Sequence, residues 1–266
     1  LARADTVVLD KTGTLTRGKP TLVRVLPFGL SQEEALRLAA ALERGSEHPL
    51  AKAVLEAAES LPQAQAEEVR ALPGEGVEGR VEGRRLHLGG PALMERLGVP
   101  LPEEAKALPE EGYTPLYLVE GTRLLAAFAV FDPPRPEAQE AVAALKALGL
   151  KLVLLTGDHP APARRVAEAL GIPEVLAGVR PEGKVEAIRR LQAEGRKVVF
   201  VGDGINDAAA LAQADVGLAM GSGTDIALEA GDVVLLTPDL RGVVNAVRLA
   251  RRTLRTIYLN FFWAYA

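Results

Sequence analysis

The sequence predicts an α/β protein in which a parallel-sheet domain is interrupted by an inserted α+β domain with an antiparallel sheet. Three observations carry that expectation. From about Pro134 onward, short apolar runs alternate with helical stretches, the pattern of βαβ units around a parallel sheet. Across residues 20–128 the pattern is instead helical repeats followed by period-two segments joined by tight turns. A lone strand-like run, Thr6-Val7-Val8-Leu9, precedes that block, and the later sheet needs it. The chain is therefore expected to leave its first domain and return to it.

Each element follows from local pattern. Ser31-Gln32-Glu33-Glu34 reads as a capping box, with Ala35, Leu38, Ala39 and Leu42 following at helical spacing. A second helix is expected over residues 50–58. Val77, Gly79 and Val81 alternate, Glu82-Gly83 turns the chain, and Leu86 and Leu88 continue the alternation. A further hairpin is expected around Glu120-Gly121, between residues 116–119 and 124–130. In the returning part, 151–155, 197–201, 215–219 and 232–235 read as strands. Residues 161–170, 183–193 and a piece at 225–229 read as helices. The expected division is 1–19 with 131–250, an insert at 20–130, and a tail at 251–266. Its connections lie at Gly18-Lys19-Pro20 and at Phe131-Asp132-Pro133-Pro134. Pro133 and Pro134 leave the second connection few degrees of freedom, which suits a hinge.

Composition narrows the function classes. The chain has 266 residues, of which 48% are hydrophobic and 25% charged, enough for a sizeable buried core and too apolar for disorder. Lys+Arg number 31 against Asp+Glu 35, so no nucleic-acid partner is expected. The absence of cysteine removes disulfides, thiolate metal sites and cysteine nucleophiles. No signal peptide is expected, because the sequence opens directly on a strand. The tail is unusual: Ile257 to Ala266 is apolar and aromatic, preceded by Arg241, Arg248, Arg251, Arg252 and Arg255. It is shorter than the roughly 18–20 apolar residues of a membrane span. A basic stretch followed by interfacial aromatics is how a segment enters a membrane, while an amphipathic helix packed on the core is the alternative.

The chemistry gathers at strand ends. Asp10-Lys11-Thr12-Gly13-Thr14-Leu15-Thr16 follows the first strand directly, at the edge where open α/β sheets bind ligands. A carboxylate there attacks phosphorus well once lysine and a divalent cation neutralise the phosphoryl oxygens. Gly13 and the threonines supply donors for an anion. Thr156-Gly157-Asp158 ends a second strand, Lys184 opens a helix, and Gly202-Asp203-Gly204-Ile205-Asn206-Asp207 ends a third. Gly74-Glu75-Gly76-Val77-Glu78-Gly79 matches a dinucleotide-type glycine pattern, but a strand rather than a helix follows, so a Rossmann fingerprint is not expected.

These strings in this order resemble the P-type ATPases of the haloacid-dehalogenase-like superfamily, over essentially the whole chain. The resemblance implies a Rossmann-type parallel-sheet phosphorylation domain and an inserted nucleotide-binding domain. It implies ATP and Mg²⁺ as cofactors, Asp10 as the phosphate acceptor, and Mg²⁺ on Asp10, the Thr12 carbonyl and Asp203. Thr156 and Lys184 would reach the phosphate, Lys11 would add to the field, and Asn206 and Asp207 would order their loop. Ser46-Glu47-His48-Pro49 and the glycine turn resemble the heavy-metal-transporting subclass, implying a nucleotide site of Glu43, His48, Gly74, Gly76 and Gly89. His87 and His159 lack such company and read as structural or surface residues. Asp132-Pro133, within the second connection, resembles the family's hinge pair. The segment 217–225 also matches the family and is expected to shape the sheet edge.

The tail resembles the lead into a transmembrane helix, and Asn260-Phe261-Phe262-Trp263-Ala264 resembles copper-transporting members. The implied whole is a heavy-metal pump at the cytosolic face of a membrane, of which this segment is soluble when excised. Its partners would be actuator and membrane domains, with a transported cation bound outside this segment. Zinc, cadmium or cobalt stand as alternatives to copper. Phosphatases of this fold carry a second aspartate two positions after the nucleophile, where this chain has Thr12, so hydrolysis of an aspartyl phosphate is expected to be slow. A free-standing phosphatase with a cap domain and a non-catalytic nucleotide-sensing module are the competing readings.

Overall fold

The computed structural model describes residues 1–203, 206–220, 233–234 and 239–265. The chain divides into two compact units, Leu1–Gly18 with Pro134–Ala266, and Lys19–Pro133.

The discontinuous unit holds β1 (Thr6–Asp10), β8 (Lys151–Leu155), β9 (Glu174–Leu176), β10 (Val198–Asp203), β11 (Val216–Met220) and β12 (Val233–Val234). They form one sheet in the order β12-β11-β10-β1-β8-β9, and every pairing is parallel. The first strand made thus lies in the middle, with Thr6 opposite both Val198 and Lys151. Its five residues are all buried, as a central parallel strand requires. Helices α5 (Ala138–Ala147), α6 (Pro160–Leu170), α7 (Pro181–Ala193), α8 (Ala208–Gln213) and α9 (Arg241–Tyr265) accompany it. Val8, Val153 and Phe200 of the sheet pack with Ile188 and Leu191 of α7 and Leu211 of α8. In α9, Val243, Val244 and Val247 are buried, whereas Tyr258, Phe261, Phe262, Trp263 and Tyr265 are exposed. The Arg251 guanidinium donates to the Leu148 carbonyl just past α5. No helix among the described residues is long and apolar enough to cross a membrane.

The inserted unit contains β2 (Thr21–Pro27), α1 (Gln32–Glu43), α2 (Pro49–Ala57), β3 (Ala66–Leu72), β4 (Gly76–Val81) and β5 (Arg84–Gly89). It continues through α3 (Pro91–Leu97), α4 (Glu103–Lys106), β6 (Thr114–Glu120) and β7 (Arg123–Phe131). Its sheet runs β2-β7-β6-β5-β4-β3, antiparallel throughout. One core joins Leu38, Leu42 and Val54 of α1 and α2 to Leu86, Leu88 and Phe128. A second joins Leu93 and Met94 of α3 to Tyr117, Val119 and Ala127. Tyr117 is buried but keeps its hydroxyl satisfied by donating to the Ala105 carbonyl at 2.8 Å. Both edge strands carry a register shift, near Val23 in β2 and between Glu67 and Arg70 in β3, which blunts pairing with another chain.

The two-sheet α/β architecture expected from the sequence is what forms. Helix ends differ in detail. Ser31 caps α1 by accepting from the Glu34 N–H at 3.1 Å, but the Glu34 carboxylate pairs with Arg37, so only half of the capping box is present. The second hairpin turns at Gly121-Thr122, one residue later than expected. The edge strands β2 and β3 and the helices α3 and α4 were not expected from the sequence pattern. The expected helical piece at 225–229 and residues 221–225 of the family segment lie outside the described residues.

Candidate active site

Asp10 is the last residue of β1, and β10 runs beside β1 to end at Asp203. Between Asp10 and Thr16 the chain winds through a wide turn rather than a regular helix. Thr12 has φ −74° and ψ 123°, and Gly13 has φ 82°, which a side chain would oppose. The turn closes where the Thr16 N–H donates to the Lys11 carbonyl at 3.0 Å. An ideal Cβ on Gly13 would lie 3.9 Å from Asp203 Oδ2, so the Asp203 carboxylate faces this turn.

Lys184 lies in the first turn of α7 and donates from Nζ to Asp10 Oδ1 and Asp207 Oδ1, each at 3.0 Å. Asp207 Oδ2 accepts from the Asp203 N–H at 3.0 Å, so one buried carboxylate anchors both the lysine and the β10 loop. Two carboxylates thus share one ammonium. Burial first, then the Asp207 charge, push the Asp10 carboxyl up to about 7 against the pull of Lys184. Burial also opposes the Lys184 charge, but Asp10 and Asp207 outweigh it and hold its pKa above the ordinary value.

Lys11 is turned to other work. Its ammonium pairs with Asp158 Oδ2 at 2.6 Å, which ties the Asp10 turn to the loop after β8. Thr156 is buried and its hydroxyl accepts from the Asp158 N–H at 3.1 Å. Thr14 is also buried, and its hydroxyl has no hydrogen-bond partner among the described residues. Asn206 is exposed ahead of α8. Arg135, which no motif singled out, donates from its guanidinium to the carbonyls of Gly13 and Thr14.

The donor set suits a small hard cation. Among the described residues, no group of three or more His, Cys, Asp or Glu side chains is arranged to hold a metal. Mg²⁺ does not need one, because it takes one or two carboxylates together with phosphate and water. Asp10, Asp203 and the Thr12 carbonyl are hard oxygen donors, and a cation beside them would offset both the burial of the Asp10 carboxylate and the Asp207 charge next to it.

In the inserted unit, Glu43 ends α1 and His48 caps α2, its Nδ1 accepting from the Leu50 N–H at 3.2 Å. A neutral ring in that arrangement carries its proton on Nε2. Burial raises the Glu43 carboxyl to about 7. Gly76 and Gly89 face each other across β4 and β5, while Gly74 sits in the preceding turn. A Cβ on Gly76 would meet the Leu88 carbonyl oxygen at 2.1 Å, and one on Gly89 would meet that of Glu75 at 2.2 Å. Backbone-to-backbone approach therefore demands both glycines, a reason that the sequence alone did not suggest. Glu75 is held by Arg96 of α3 at 2.6 Å. A cavity of about 250 Å³ lined by Arg37, Arg44, Leu55 and Leu61 contains none of these residues. At the unit's ends, Asp132 Oδ1 accepts from the Lys19 N–H at 3.2 Å.

The chain is similar to known proteins over most of its length. The haloacid dehalogenase-like hydrolase family matches residues 4–215. The copper-transporting ATPase 1 of Rhizobium meliloti is 46% identical over 272 residues, covering 100% of this chain. This chain spans only 33% of that relative's length. A zinc-transporting PIB-type ATPase superposes with a TM-score of 0.87 at 41% identity, covering 97% of this chain and 43% of that one. The catalytic domain of the CPx-ATPase CopB-B superposes with a TM-score of 0.70 at 30% identity, covering 92% of this chain and 89% of that domain. With one match spanning most of the chain and another spanning nearly a whole catalytic domain, the chain belongs to the haloacid-dehalogenase-like hydrolases and, among them, to the catalytic segments of heavy-metal P-type ATPases.

Proposed function

We propose that this chain is the ATP-hydrolysing segment of a copper pump, and that Asp10 takes the γ-phosphate of ATP. The observation that carries the reading is the Lys184 ammonium held between Asp10 and Asp207 at the edge of a parallel sheet. An Asp10 oxygen attacks the γ-phosphorus, the bond to the β,γ-bridging oxygen breaks, and ADP leaves with the electron pair. Lys184 neutralises charge on the transferring group, and Asp207 holds Lys184 in place. The Thr14 hydroxyl, which has no partner among the described residues, is a ready donor to a phosphoryl oxygen. Mg²⁺, held by Asp10, Asp203 and the Thr12 carbonyl, supplies further charge neutralisation when bound. Thr12 cannot serve as an acid or base at neutral pH, so the aspartyl phosphate is long-lived in this chain.

The same reading makes Leu1–Gly18 with Pro134–Ala266 the phosphorylation domain and Lys19–Pro133 the nucleotide-binding domain, with Asp132 and Pro133 at the hinge. ATP would be met by Glu43, His48 and the turn of Gly74, Gly76 and Gly89. The exposed aromatic end of α9 suits the approach to a membrane, with this segment on its cytosolic side. Copper rests on the name of the relative at 46% identity, and zinc is the second reading because of the 0.87 TM-score to a zinc-transporting pump.

The test is acid-trapped labelling with γ-labelled ATP and Mg²⁺, beside calorimetry with a non-hydrolysable analogue. Asp10→Asn should abolish the label and leave analogue affinity within about twofold. Loss of binding in that variant would contradict the division of labour. Rapid turnover of a small aryl phosphate would favour the phosphatase instead.

A further inference from the structure

We infer that Arg135 is a positioning residue that fixes the conformation of the Asp10 turn. The inference rests on the reading of Asp10 as the phosphate acceptor. Arg135 Nε donates to the Thr14 carbonyl at 2.8 Å and Nη2 to the Gly13 carbonyl at 2.9 Å. Its backbone N–H donates to the Leu15 carbonyl at 2.7 Å. Three successive carbonyls of the turn are thus held by one residue 120 positions along the chain from Leu15 (135 − 15).

The turn needs such a partner. Thr12 and Gly13 leave helical geometry, so these carbonyls do not meet a regular ladder of N–H groups. Thr14 and Leu15 are fully buried, where an unpaired carbonyl is costly. A guanidinium answers this with a planar fork that stays charged at any relevant pH. The fork is itself held. Thr16 and Pro134 form an antiparallel bridge beside it, and Pro134 and Pro136 restrict the backbone on either side of Arg135. The turn that carries Asp10 is therefore clamped from outside. The Lys11–Asp158 pair holds its other flank.

A displaced nucleophile slows transfer without weakening the binding of nucleotide elsewhere. In the whole 266-residue chain, Arg135→Ala should lower the rate of label uptake from ATP by about 10- to 100-fold, with analogue affinity unchanged within about twofold. Amide exchange at Gly13, Thr14 and Leu15 should quicken in the same variant. Arg135→Lys keeps the charge but loses the fork, and should recover only part of the rate. Wild-type labelling rates in both variants would overturn the inference. Should Arg135→Ala not fold, Arg135→Lys decides: a slowed rate at unchanged affinity supports the clamp, and an unchanged rate overturns it. A wild-type chain that takes no label at all would instead remove the Asp10 reading, and the inference with it.

Discussion

Lys11 and Asp158 share a salt bridge but not a solvent environment. The Lys11 side chain is 4% exposed and that of Asp158 is 46% exposed. Removing the lysine leaves a carboxylate that water can reach, whereas removing the aspartate strands an ammonium inside the protein. Asp158→Ala should therefore cost more stability than Lys11→Met, by about 1–3 kcal/mol, read as the difference in urea midpoints at constant slope. Equal costs would show that the pair acts only at its exposed end. Glu43 gives a pH-dependent counterpart. Burial raises its carboxyl from 4.5 to about 7, so the folded chain keeps a proton that the unfolded chain releases between those values. Its contribution is greatest below that window, falls as pH rises through it, and is flat above. The Glu43→Gln variant should lose on the order of 1–2 kcal/mol of that pH slope after solvent screening, measured as stability at pH 5 against pH 8. An unchanged slope would place the titration elsewhere. Asp10 and Asp203 were legible in the sequence because a strand ending in a carboxylate announces its own position. Arg135 was not, since its partners are backbone carbonyls, which every sequence contains and none displays.

At the scale of the elements, the antiparallel sheet explains which glycines matter for folding. Gly76 and Gly89 face each other so closely that a methyl group on either would strike a carbonyl oxygen. Gly74 has φ +73° but open space where its Cβ would stand. Gly76→Ala should destabilise the inserted unit by about 3 kcal/mol or more, and Gly74→Ala by only about 1 kcal/mol. Comparable losses in denaturant titrations of the two variants would sink this distinction. The same sheet shows where pattern reading stops. The interior strands β4 to β7 alternate or run apolar, and their period gave them away. The edge strand β3 carries Glu67, Glu68 and Arg70 and buries none of its residues, so no apolar period marks it. Its pairing is held by the β4 backbone and by ion pairs such as Arg80–Glu68, which are visible only once the strands lie together.

For the whole molecule, the inserted unit is one continuous stretch whose ends lie side by side, with Thr21 opposite Phe131 in the sheet and the Lys19 N–H on Asp132. Residues 19–133 made alone should therefore unfold in one cooperative transition and bind the ATP analogue as tightly as the full chain, within about twofold. A molten or aggregated product would mean that the unit borrows stability from the rest. The sequence pattern showed the fold class because strand and helix periods change where the chain changes sheets. The other unit is built in the reverse manner, and this bears on its birth. Thr6 leaves the ribosome near the start of synthesis of this segment, yet its partners Lys151 and Val198 lie far downstream. At about 5–20 residues per second, this strand, whose five residues are all buried in the finished sheet, waits roughly 7–40 seconds for its neighbours. By the end of that interval the inserted unit has all of its own strands, because β7 ends at Phe131, ahead of Lys151. The nascent chain should therefore expose an unpaired β1 beside a finished domain, and that is the window in which a chaperone has something to hold.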